Sequence, residues 1–371
     1  MTHVGILATS RPSFGGTFQY TLSMIEALRL LPDNQYTLFV SSANDSYAHL
    51  GLPVTTLPSG AAAACRGMFR SVAPSLGLFR EVDKVIAPIY SPYLLASGRP
   101  FVFTLHDLQE RYYPEYFSVP QRAWRHLMST SLTRAAAVII CESNYVKRDI
   151  HRYLRVDEGK IAVIPAPPVS AFRDHDPGPD GLATVKEKLG LGDQVLLYPA
   201  QFWPHKNHRR LVEALAILVR THEHCQLVFT GGSGYEHDDV FAQVEALGLG
   251  ARVRHLGRLP TEELAAVYRL ATVVVLPTLF ESISIPVYEA FMTGAPVCAS
   301  NVVALPEQIG DAGLLFDPTS PEDIAEKVDR LLRDPSLRAE LVRRGRERIR
   351  SLTRERYALQ LKGVLDRTNG P

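Results

Sequence analysis

The sequence predicts an α/β protein of two domains, each built on a doubly wound parallel sheet. Short apolar runs rich in β-branched residues alternate with amphipathic helical segments, which is typical of parallel sheets covered by helices on both faces. The alternation is interrupted between residues 166 and 182 by a segment rich in proline and glycine, APPVSAFRDHDPGPDGL. The chain of 371 residues also exceeds what one hydrophobic core usually holds, so two domains are expected.

The first domain is predicted over residues 1–165, with residues 166–182 as the linker. Its predicted strands are residues 4–8, 36–40, 84–87, 101–105 and 136–141. The second domain is predicted over residues 183–350, and residues 351–371 hold a last helix. The predicted strands of the second domain are residues 195–198, 226–230, 252–256, 272–276, 297–299 and 314–316.

Composition and charge limit the classes of function. Hydrophobic residues at 46% and charged residues at 21% are ordinary for a soluble globular protein. A formal net charge of +1 gives no electrostatic reason to expect nucleic acid as a partner. The first residues are predicted to be a strand rather than a signal peptide, and no apolar run is long enough to cross a bilayer. The four cysteines lack C-x-x-C spacing, so we predict a cytoplasmic protein with buried thiols.

The most informative stretch is residues 277–301, PTLFESISIPVYEAFMTGAPVCASN. It follows a buried strand and is predicted to form a tight loop and a helix that begins at Pro286. In an open α/β sheet, ligands bind beyond the carboxyl ends of the strands, and a helix N-terminus attracts phosphate. Glu281 and Glu289 offer carboxylates for hydroxyl groups. The backbone N–H donors for an anion are those of Ser282, Ile283, Ser284 and Ile285. A nucleoside diphosphate joined to a sugar needs that combination; acids attracted by the helix dipole are the simpler alternative.

With two glutamates eight positions apart in LFESISIPVYEAF, followed by GAPVCAS and LPEQIGDAGLLFDP, the chain resembles family 4 of the retaining glycosyltransferases. The resemblance implies the GT-B fold, in which two Rossmann-like domains face each other across a cleft and the last helix crosses back to the first domain. It also implies that Glu281 holds hydroxyls of the donor sugar and that Glu289 holds the ribose. The family commonly has Gly-Phe-Gly where this chain has Ser282, Ile283 and Ser284.

The resemblance also implies site residues in the first domain. The loop SRPSFGGTFQY after the first strand carries a glycine pair, and Gly16 is expected to lie against the diphosphate of the donor. The strand at residues 101–105 ends in His106 and Asp107. His106 is expected beside the anomeric carbon of the donor, and Asp107 is predicted to orient its ring.

Further donor contacts are expected in the second domain. Lys206 stands in the loop PAQFWPHKNHRRL, at a strand end and before a helix, where an ammonium suits a diphosphate; a surface lysine is the alternative. The family usually has an arginine where this chain has Gln201. Gly232 lies in the loop TGGSGYEHDD and Arg258 in HLGRLPTEEL. The resemblance implies that the backbone near Arg258 holds the nucleobase.

The sequence therefore predicts retaining transfer of a hexose or deoxyhexose from a nucleotide sugar to a hydroxyl of a sugar or lipid-linked acceptor. Mannose or rhamnose is favoured, because the WPHKNH loop resembles transferases of these sugars in bacterial surface-polysaccharide and glycolipid assembly. The predicted catalytic residues are His106, Lys206 and Glu281. No metal or other cofactor is expected, since no acidic pair lies at a strand end. Two alternatives stay open: a GT-B sugar-nucleotide epimerase or hydrolase, and a non-catalytic subunit that binds nucleotide sugars.

Two basic helical segments raise the question of a membrane contact. The first, VPQRAWRHLMSTSLTRAA, places Arg122, Arg125, His126 and Arg134 around Trp124. The second contains Arg66, Arg70 and Arg80. We favour solvated helix faces. Contact with anionic lipid at the inner face of the membrane, as in family members that glycosylate lipid-linked acceptors, is the alternative that stays open.

Overall fold

The computed structural model describes residues 1–41, 45–58, 77, 79–169 and 171–368. The chain forms two compact units, Met1–Val169 with Leu352–Pro371 and Ser170–Ser351. Each unit is built on one sheet. One of the four cysteines, Cys65, and two arginines of the second basic segment, Arg66 and Arg70, lie outside the described residues. The other cysteines, Cys141, Cys225 and Cys298, are buried thiols.

A seven-stranded parallel sheet forms the centre of the first unit, in the order β3-β2-β1-β4-β5-β6-β7. Its strands are β1 Thr2–Leu7, β2 Asn34–Ser41, β3 Val54–Leu57, β4 Lys84–Ala87, β5 Phe101–Thr104, β6 Val138–Cys141 and β7 Ile161–Val163. Strands β4, β5 and β6 are buried throughout, as expected of strands covered on both faces. The two edge strands, β3 and β7, have no counterpart among the predicted strands.

A six-stranded parallel sheet forms the second unit, in the order β10-β9-β8-β11-β12-β13. Its strands are β8 Gln194–Pro199, β9 Cys225–Thr230, β10 Val253–His255, β11 Val273–Leu276, β12 Val297–Ser300 and β13 Gly313–Phe316. All six strands that the sequence predicts here are present. In both sheets the order reverses at the first strand of the unit, β1 or β8, which is the arrangement of a doubly wound Rossmann-like domain.

Helices connect the strands. Among the residues described, those of the first unit are Gly16–Leu28, Tyr93–Ala96, Val119–Ala135, Asn144–Leu154 and Arg354–Asp366. Those of the second unit are Ala171–Asp174, Gly178–Leu189, His208–Leu218, His237–Ala246, Thr261–Leu270, Ile285–Thr293, Leu305–Ile309, Pro321–Arg333 and Pro335–Ile349. Hydroxyl side chains cap the N-termini of several, among them Ser118, Ser143, Ser320 and Thr353. Across the described ranges, no helix combines the length and the apolar character needed to cross a bilayer.

The C-terminal helix Arg354–Asp366 belongs to the first unit, as predicted. Its buried face, which includes Tyr357 and Leu361, joins the core that the helix Gly16–Leu28 forms on one side of the sheet. The Lys84 ammonium, at the start of β4, donates to the Leu365 carbonyl at 2.9 Å. Apolar burial together with this hydrogen bond fixes the helix on the first unit.

The segment predicted as a linker is partly helical. The two units meet in the chain between Val169 and Ser170. Beyond this point the structure has the short helix Ala171–Asp174 and then the helix Gly178–Leu189, in which a proline occupies the first turn. Proline is compatible with a first turn because the N–H group that it lacks has no helical partner there. The proline-rich composition therefore marks helix starts as well as the connection.

Candidate functional site

The candidate site of the second unit lies at the carboxyl ends of β8 and β11. These strands are neighbours in the sheet, and β9 lies on the other side of β8. Loops that leave the sheet at such a reversal diverge, and a crevice opens above the strand ends. Lys206 stands in the loop after β8 and Glu281 in the loop after β11, so the sheet itself brings these two predicted residues to one place.

Lys206 and Glu281 form an ion pair. Lys206 ends one turn of 3-10 helix, and Asn207 follows in the left-handed conformation at φ 60°. The Asn207 amide donates to the carbonyls of Pro277 and Pro318 at 2.9 and 2.8 Å, which fixes this loop against the loop after β11. The Lys206 Nζ donates to Glu281 Oε2 at 2.5 Å, and the side chains are 21% and 18% exposed. An ammonium and a carboxylate, both accessible to solvent, therefore meet at the strand reversal.

The turn after Glu281 is held by the buried side chain of Gln308. The Gln308 Oε1 accepts from the Ser284 N–H at 2.9 Å, and its Nε2 donates to the Ser284 carbonyl at 2.7 Å. The N–H of Ser284 is therefore already bonded, and the phosphate contact that the sequence analysis predicts for it requires this bond to be exchanged. A side chain 24 positions further on takes this N–H, and the pattern of the turn gives no sign of it.

The serines of this turn adopt ordinary backbone conformations. Ser282, Ile283 and Ser284 all lie outside the positive-φ region. Glycine is required only where φ is positive or where another group approaches very closely. The turn therefore forms without the glycines that the family commonly has, and donor binding by Ser282, Ile283 and Ile285 stays a prediction.

Glu289 lies on the helix Ile285–Thr293 and is buried, with 7% of its surface exposed. The hydroxyl of Tyr268, itself fully buried, donates to Glu289 Oε2 at 2.6 Å. Burial raises the pKa of the Glu289 carboxyl to about 7, and the hydrogen bond from Tyr268 opposes that rise. No described residue donates to the second oxygen, Oε1. This carboxyl can therefore accept one further hydrogen bond, as contact with a ribose hydroxyl requires.

Glu289→Gln is expected to stabilise the protein at high pH and to have little effect at low pH. The pKa of Glu289 rises from 4.5 in the unfolded chain to about 7 in the folded state. Between these values the folded state binds more protons, so the free energy of unfolding of the wild type falls as pH rises from 4.5 through 7. Glutamine keeps an acceptor for Tyr268 and has no proton to lose. The variant should gain up to about 3 kcal/mol above pH 8.

Urea unfolding of the wild type and of Glu289→Gln at pH 5 and at pH 8.5 measures the gain in stability. The titrations of all other groups cancel in the difference between the two free energies of unfolding. Tyr268→Phe is the matched variant. It removes the hydrogen bond that favours the charged carboxylate and so raises the pKa of Glu289 further. The fall in its free energy of unfolding should therefore occur at higher pH than in the wild type. A difference between wild type and Glu289→Gln that is the same at both pH values would contradict the assigned burial effect.

Gly232 and Arg258 lie side by side beyond β9 and β10. The N–H of Gly231 donates to the Gly257 carbonyl at 2.8 Å, which brings the two loops together. A Cβ atom on Gly232 would lie 3.4 Å from the Arg258 Nε, so the guanidinium runs along this glycine. Gly234, at φ 58°, is packed so closely that a Cβ would lie 2.6 Å from the Phe202 carbonyl oxygen. The glycines of TGGSGYEHDD thus allow adjacent loops to approach one another.

Gln201, which stands where the family usually has an arginine, accepts from the Trp203 indole N–H at 2.8 Å. Arg210, one turn into the following helix, pairs with Glu213 at 2.6 Å on the exposed surface. Lys206 is therefore the cation that the loop after β8 brings to Glu281.

In the first unit, His106 lies just beyond β5 and both of its ring nitrogens are bonded. The Nδ1 lies 2.9 Å from Glu142 Oε2, and the Nε2 lies 2.9 Å from the Pro88 carbonyl oxygen. Burial alone lowers the pKa of His106, but the hydrogen bond and charge of Glu142 outweigh it, so the pKa is raised. The prediction that Asp107 orients the ring is wrong, because Asp107 accepts from Arg125 at 2.8 Å and from the Gln109 N–H.

Gly16 is the first residue of the helix Gly16–Leu28, in the loop beyond β1. The preceding Gly15 has φ 58° and ψ −113°, a conformation that side chains other than hydrogen rarely allow. The helix then places Tyr20 against the ring of His106, edge to face, at 4.7 Å between centroids. The glycine pair thus starts the helix that packs on His106, and the diphosphate contact of Gly16 stays a prediction.

Glu142, Tyr268 and Gln308 are not among the predicted site residues. Glu142 directly follows β6, so its place at a strand end is a signal of the same kind as that of His106. Tyr268 and Gln308 lie on helices, where the sequence carries no comparable signal. Among the described residues, no group of three His, Cys, Asp or Glu side chains is arranged to hold a metal ion.

Two protein families match the chain. The family of glycosyl transferases group 1 matches residues 183–348, and glycosyltransferase family 4 matches residues 14–167. Among curated proteins, the chain is 30% identical to O-antigen chain mannosyltransferase B of Escherichia coli, over 69% of this chain and 66% of that protein. It is 26% identical to D-inositol 3-phosphate glycosyltransferase of Corynebacterium glutamicum, over 85% of this chain and 78% of that protein.

Solved structures show the same fold. HepE of Anabaena, in complex with UDP and glucose, superposes with a TM-score of 0.79 at 19% identity, over 99% of this chain and all of that one. Sucrose-phosphate synthase of Thermosynechococcus elongatus superposes with a TM-score of 0.81 at 21% identity, over 99% and 98% of the two chains. Together with the two family matches, these likenesses establish that the chain belongs to the family 4 (group 1) glycosyltransferases of the GT-B fold.

Proposed function

We propose that this glycosyltransferase moves mannose from a nucleotide sugar to an acceptor hydroxyl and retains the anomeric configuration. The names of two E. coli relatives support the choice of sugar: O-antigen chain mannosyltransferase B, and the serotype-specific mannosyltransferase WbdA at 24% identity. Rhamnose, a deoxyhexose, is the second donor sugar to be tested. The solved complexes of Anabaena HepE with UDP and glucose and with UDP-glucose support a nucleoside diphosphate sugar as the donor.

The Lys206–Glu281 pair is the observation that carries this proposal. Transfer requires a cation of the protein beside the leaving phosphate. It also requires a hydrogen-bond acceptor for the hydroxyls of the adjacent sugar. Here the ammonium and the carboxylate lie 2.5 Å apart at a strand reversal, where such ligands bind. A bound donor would place its phosphate on Lys206 and its sugar on Glu281, and so replace the ion pair by two contacts with the ligand.

The transfer step forms one bond, breaks one bond and moves one proton, and it needs only the donor, the acceptor and the residues named above. The acceptor oxygen forms a bond to the anomeric carbon, and the bond from that carbon to the phosphate oxygen breaks with its electrons on the diphosphate. The acceptor proton passes to a phosphate oxygen. Lys206 stabilises the charge that develops on the phosphate, which is the largest single contribution in many enzymes of this kind.

The acceptor is proposed to be a growing bacterial surface polysaccharide or glycolipid, by likeness to the O-antigen enzyme. The helix Val119–Ala135 supports contact with a lipid-linked acceptor, since Val119, Trp124 and Leu127 are exposed on it. Its basic face is smaller than the sequence suggests, because Arg125 turns inward to Asp107 and Glu110 at 2.8 and 2.7 Å. Apolar side chains would therefore contribute more than charge to such a contact.

Incubation with a panel of nucleotide sugars that includes GDP-mannose, dTDP-rhamnose and UDP-glucose tests the proposal, with and without a mannose-terminated acceptor. We expect glycosylated acceptor only with the mannosyl donor, and an anomeric coupling in the product that matches the donor configuration. Release of free sugar without acceptor would favour the hydrolase, and binding of donor without any turnover would favour the non-catalytic subunit.

Transfer is expected to survive an excess of EDTA. Lys206 and the N-terminus of the helix Ile285–Thr293 supply the positive charge that the leaving phosphate needs, so the proposed step has no requirement for a divalent ion. Initial rates after dialysis against EDTA, with and without added Mg²⁺ or Mn²⁺, measure this. Complete loss of activity that either metal restores would overturn this part of the mechanism.

A further inference from the structure

The ring of His106 is fixed by hydrogen bonds at both nitrogens. Strands β5 and β6 are neighbours in the sheet, so His106 and Glu142, which follow their carboxyl ends, are brought together. The Glu142 Oε2 lies 2.9 Å from Nδ1, and the Pro88 carbonyl oxygen lies 2.9 Å from Nε2. The Glu142 side chain is 4% exposed and that of His106 18% exposed. Nearly all of this pair is therefore shielded from water.

These contacts determine where the protons are. A carbonyl oxygen only accepts, so the ring must donate its Nε2 proton to Pro88. With that proton on Nε2, a neutral ring would turn the lone pair of Nδ1 toward the Glu142 carboxylate. Two lone pairs at 2.9 Å in a buried site repel one another, so a proton is retained between Nδ1 and Oε2. Neither ring nitrogen is then available to accept a proton from another molecule.

The groups around the ring also favour the imidazole with both nitrogens protonated. Asp107, next in the chain, adds a second negative charge near the ring although its carboxylate is bonded to Arg125. Tyr20 packs edge to face on the imidazole, and its hydroxyl is bonded to Thr104 at 2.9 Å. The two carboxylates near the imidazole favour an imidazolium, and Tyr20 fixes the ring by packing against it.

We infer that Glu142 is a positioning residue for His106. It fixes the ring and keeps Nδ1 protonated, so His106 is an oriented imidazolium that accepts no further proton. This agrees with the proposed step, in which the proton of the acceptor hydroxyl goes to the leaving phosphate. The meaning of this arrangement for catalysis rests on the proposed transfer reaction, whereas the protonation of the ring is a property of the protein itself.

NMR spectra of the protein with ¹⁵N-labelled histidine test the protonation directly, with the His106→Gln variant to assign the signal. We expect both ring nitrogens of His106 to give protonated shifts at pH 7.5, and Glu142→Gln to convert the ring to the neutral form at that pH. Asp107→Asn is the matched control and should leave the ring protonated. A neutral ring in the wild type at pH 7.5, or a protonated one in Glu142→Gln, would overturn the inference whether or not a donor sugar has been found.

Activity tests the positioning role once a donor is known. Glu142→Ala should lower kcat roughly 10- to 100-fold with a smaller change in KM, as expected when a hydrogen bond to a charged group is lost. Glu142→Gln, whose amide can still hold the ring through Nδ1, should retain more turnover than Glu142→Ala. Equal losses in the two variants at matched melting temperatures, or an unchanged kcat in Glu142→Ala, would refute a positioning role.

Discussion

Lys206→Ala is expected to weaken binding of the nucleoside diphosphate and to slow turnover. Loss of one charge-assisted contact costs about 1.5–3 kcal/mol, or roughly 10- to 150-fold in affinity. The structure adds a second penalty, because the variant leaves the Glu281 carboxylate without the partner that it has at 2.5 Å. An unpaired carboxylate beside the diphosphate repels it. The loss should therefore be larger for the diphosphate than for the monophosphate, which carries less charge at this point.

Isothermal titration of both nucleotides with wild type and variant measures this difference. Arg210→Ala is the matched control, since it removes one positive charge from the neighbouring helix that is already paired with Glu213 on the exposed surface. It should change affinity by less than about 1 kcal/mol. Equal affinities of Lys206→Ala and wild type for the diphosphate would show that Lys206 is a surface residue with no part in binding.

The buried framework of both sheets is predictable from sequence because its strands are apolar on both faces. The run at β11, VVVL, has no polar residue and is buried at every position. Strand β3 escapes prediction because it lies at an edge, and its residues Val54–Leu57 are largely accessible. Edge strands of three or four residues carry too little hydrophobic pattern to be distinguished from loops.

Site residues are predictable where they follow a strand, and their partners mostly are not. That rule predicts Lys206 and Glu281, and the reversal of strand order explains why they meet. The sequence suggests the adjacent Asp107 as the partner of His106, but the parallel sheet brings Glu142 closer, 36 residues further on. Likewise the partner of Glu289 is Tyr268 on the preceding helix. Such pairings depend on helix and strand packing, which the order of residues along the chain does not encode locally.

Glu281→Ala and Glu289→Ala are expected to affect different ligands. If Glu289 holds ribose hydroxyls, its loss should weaken the bare nucleoside diphosphate and the intact nucleotide sugar alike, since both carry the ribose. If Glu281 holds the transferred sugar, its loss should leave affinity for the bare diphosphate nearly unchanged or slightly raised, because Lys206 is released from its ion pair. Turnover of the intact donor should fall, since the contact acts on the sugar in the transition state.

The two glutamates also differ in what their removal does to the fold. Glu281→Ala removes a partly exposed side chain, whereas Glu289→Ala leaves the buried Tyr268 hydroxyl without its acceptor at a cost of roughly 1–3 kcal/mol. Glu289→Gln keeps an acceptor for Tyr268 and is therefore the variant in which binding is separated from folding. Its affinity for both ligands should still fall, because a neutral amide holds a hydroxyl less strongly than a carboxylate.

Calorimetry measures the affinities of Glu281→Ala, Glu289→Ala and Glu289→Gln for the bare diphosphate and for the nucleotide sugar. The melting temperature of each variant shows whether the fold is affected. A loss of affinity in Glu289→Ala that is absent from Glu289→Gln would result from destabilisation of the fold. That outcome would contradict the proposed ribose contact. A loss shared by both, for both ligands, would assign the ribose to Glu289. Should Glu281→Ala weaken the bare diphosphate as much as Glu289→Ala does, the two acids do not divide the donor between them, and Glu281 serves the nucleotide rather than the sugar.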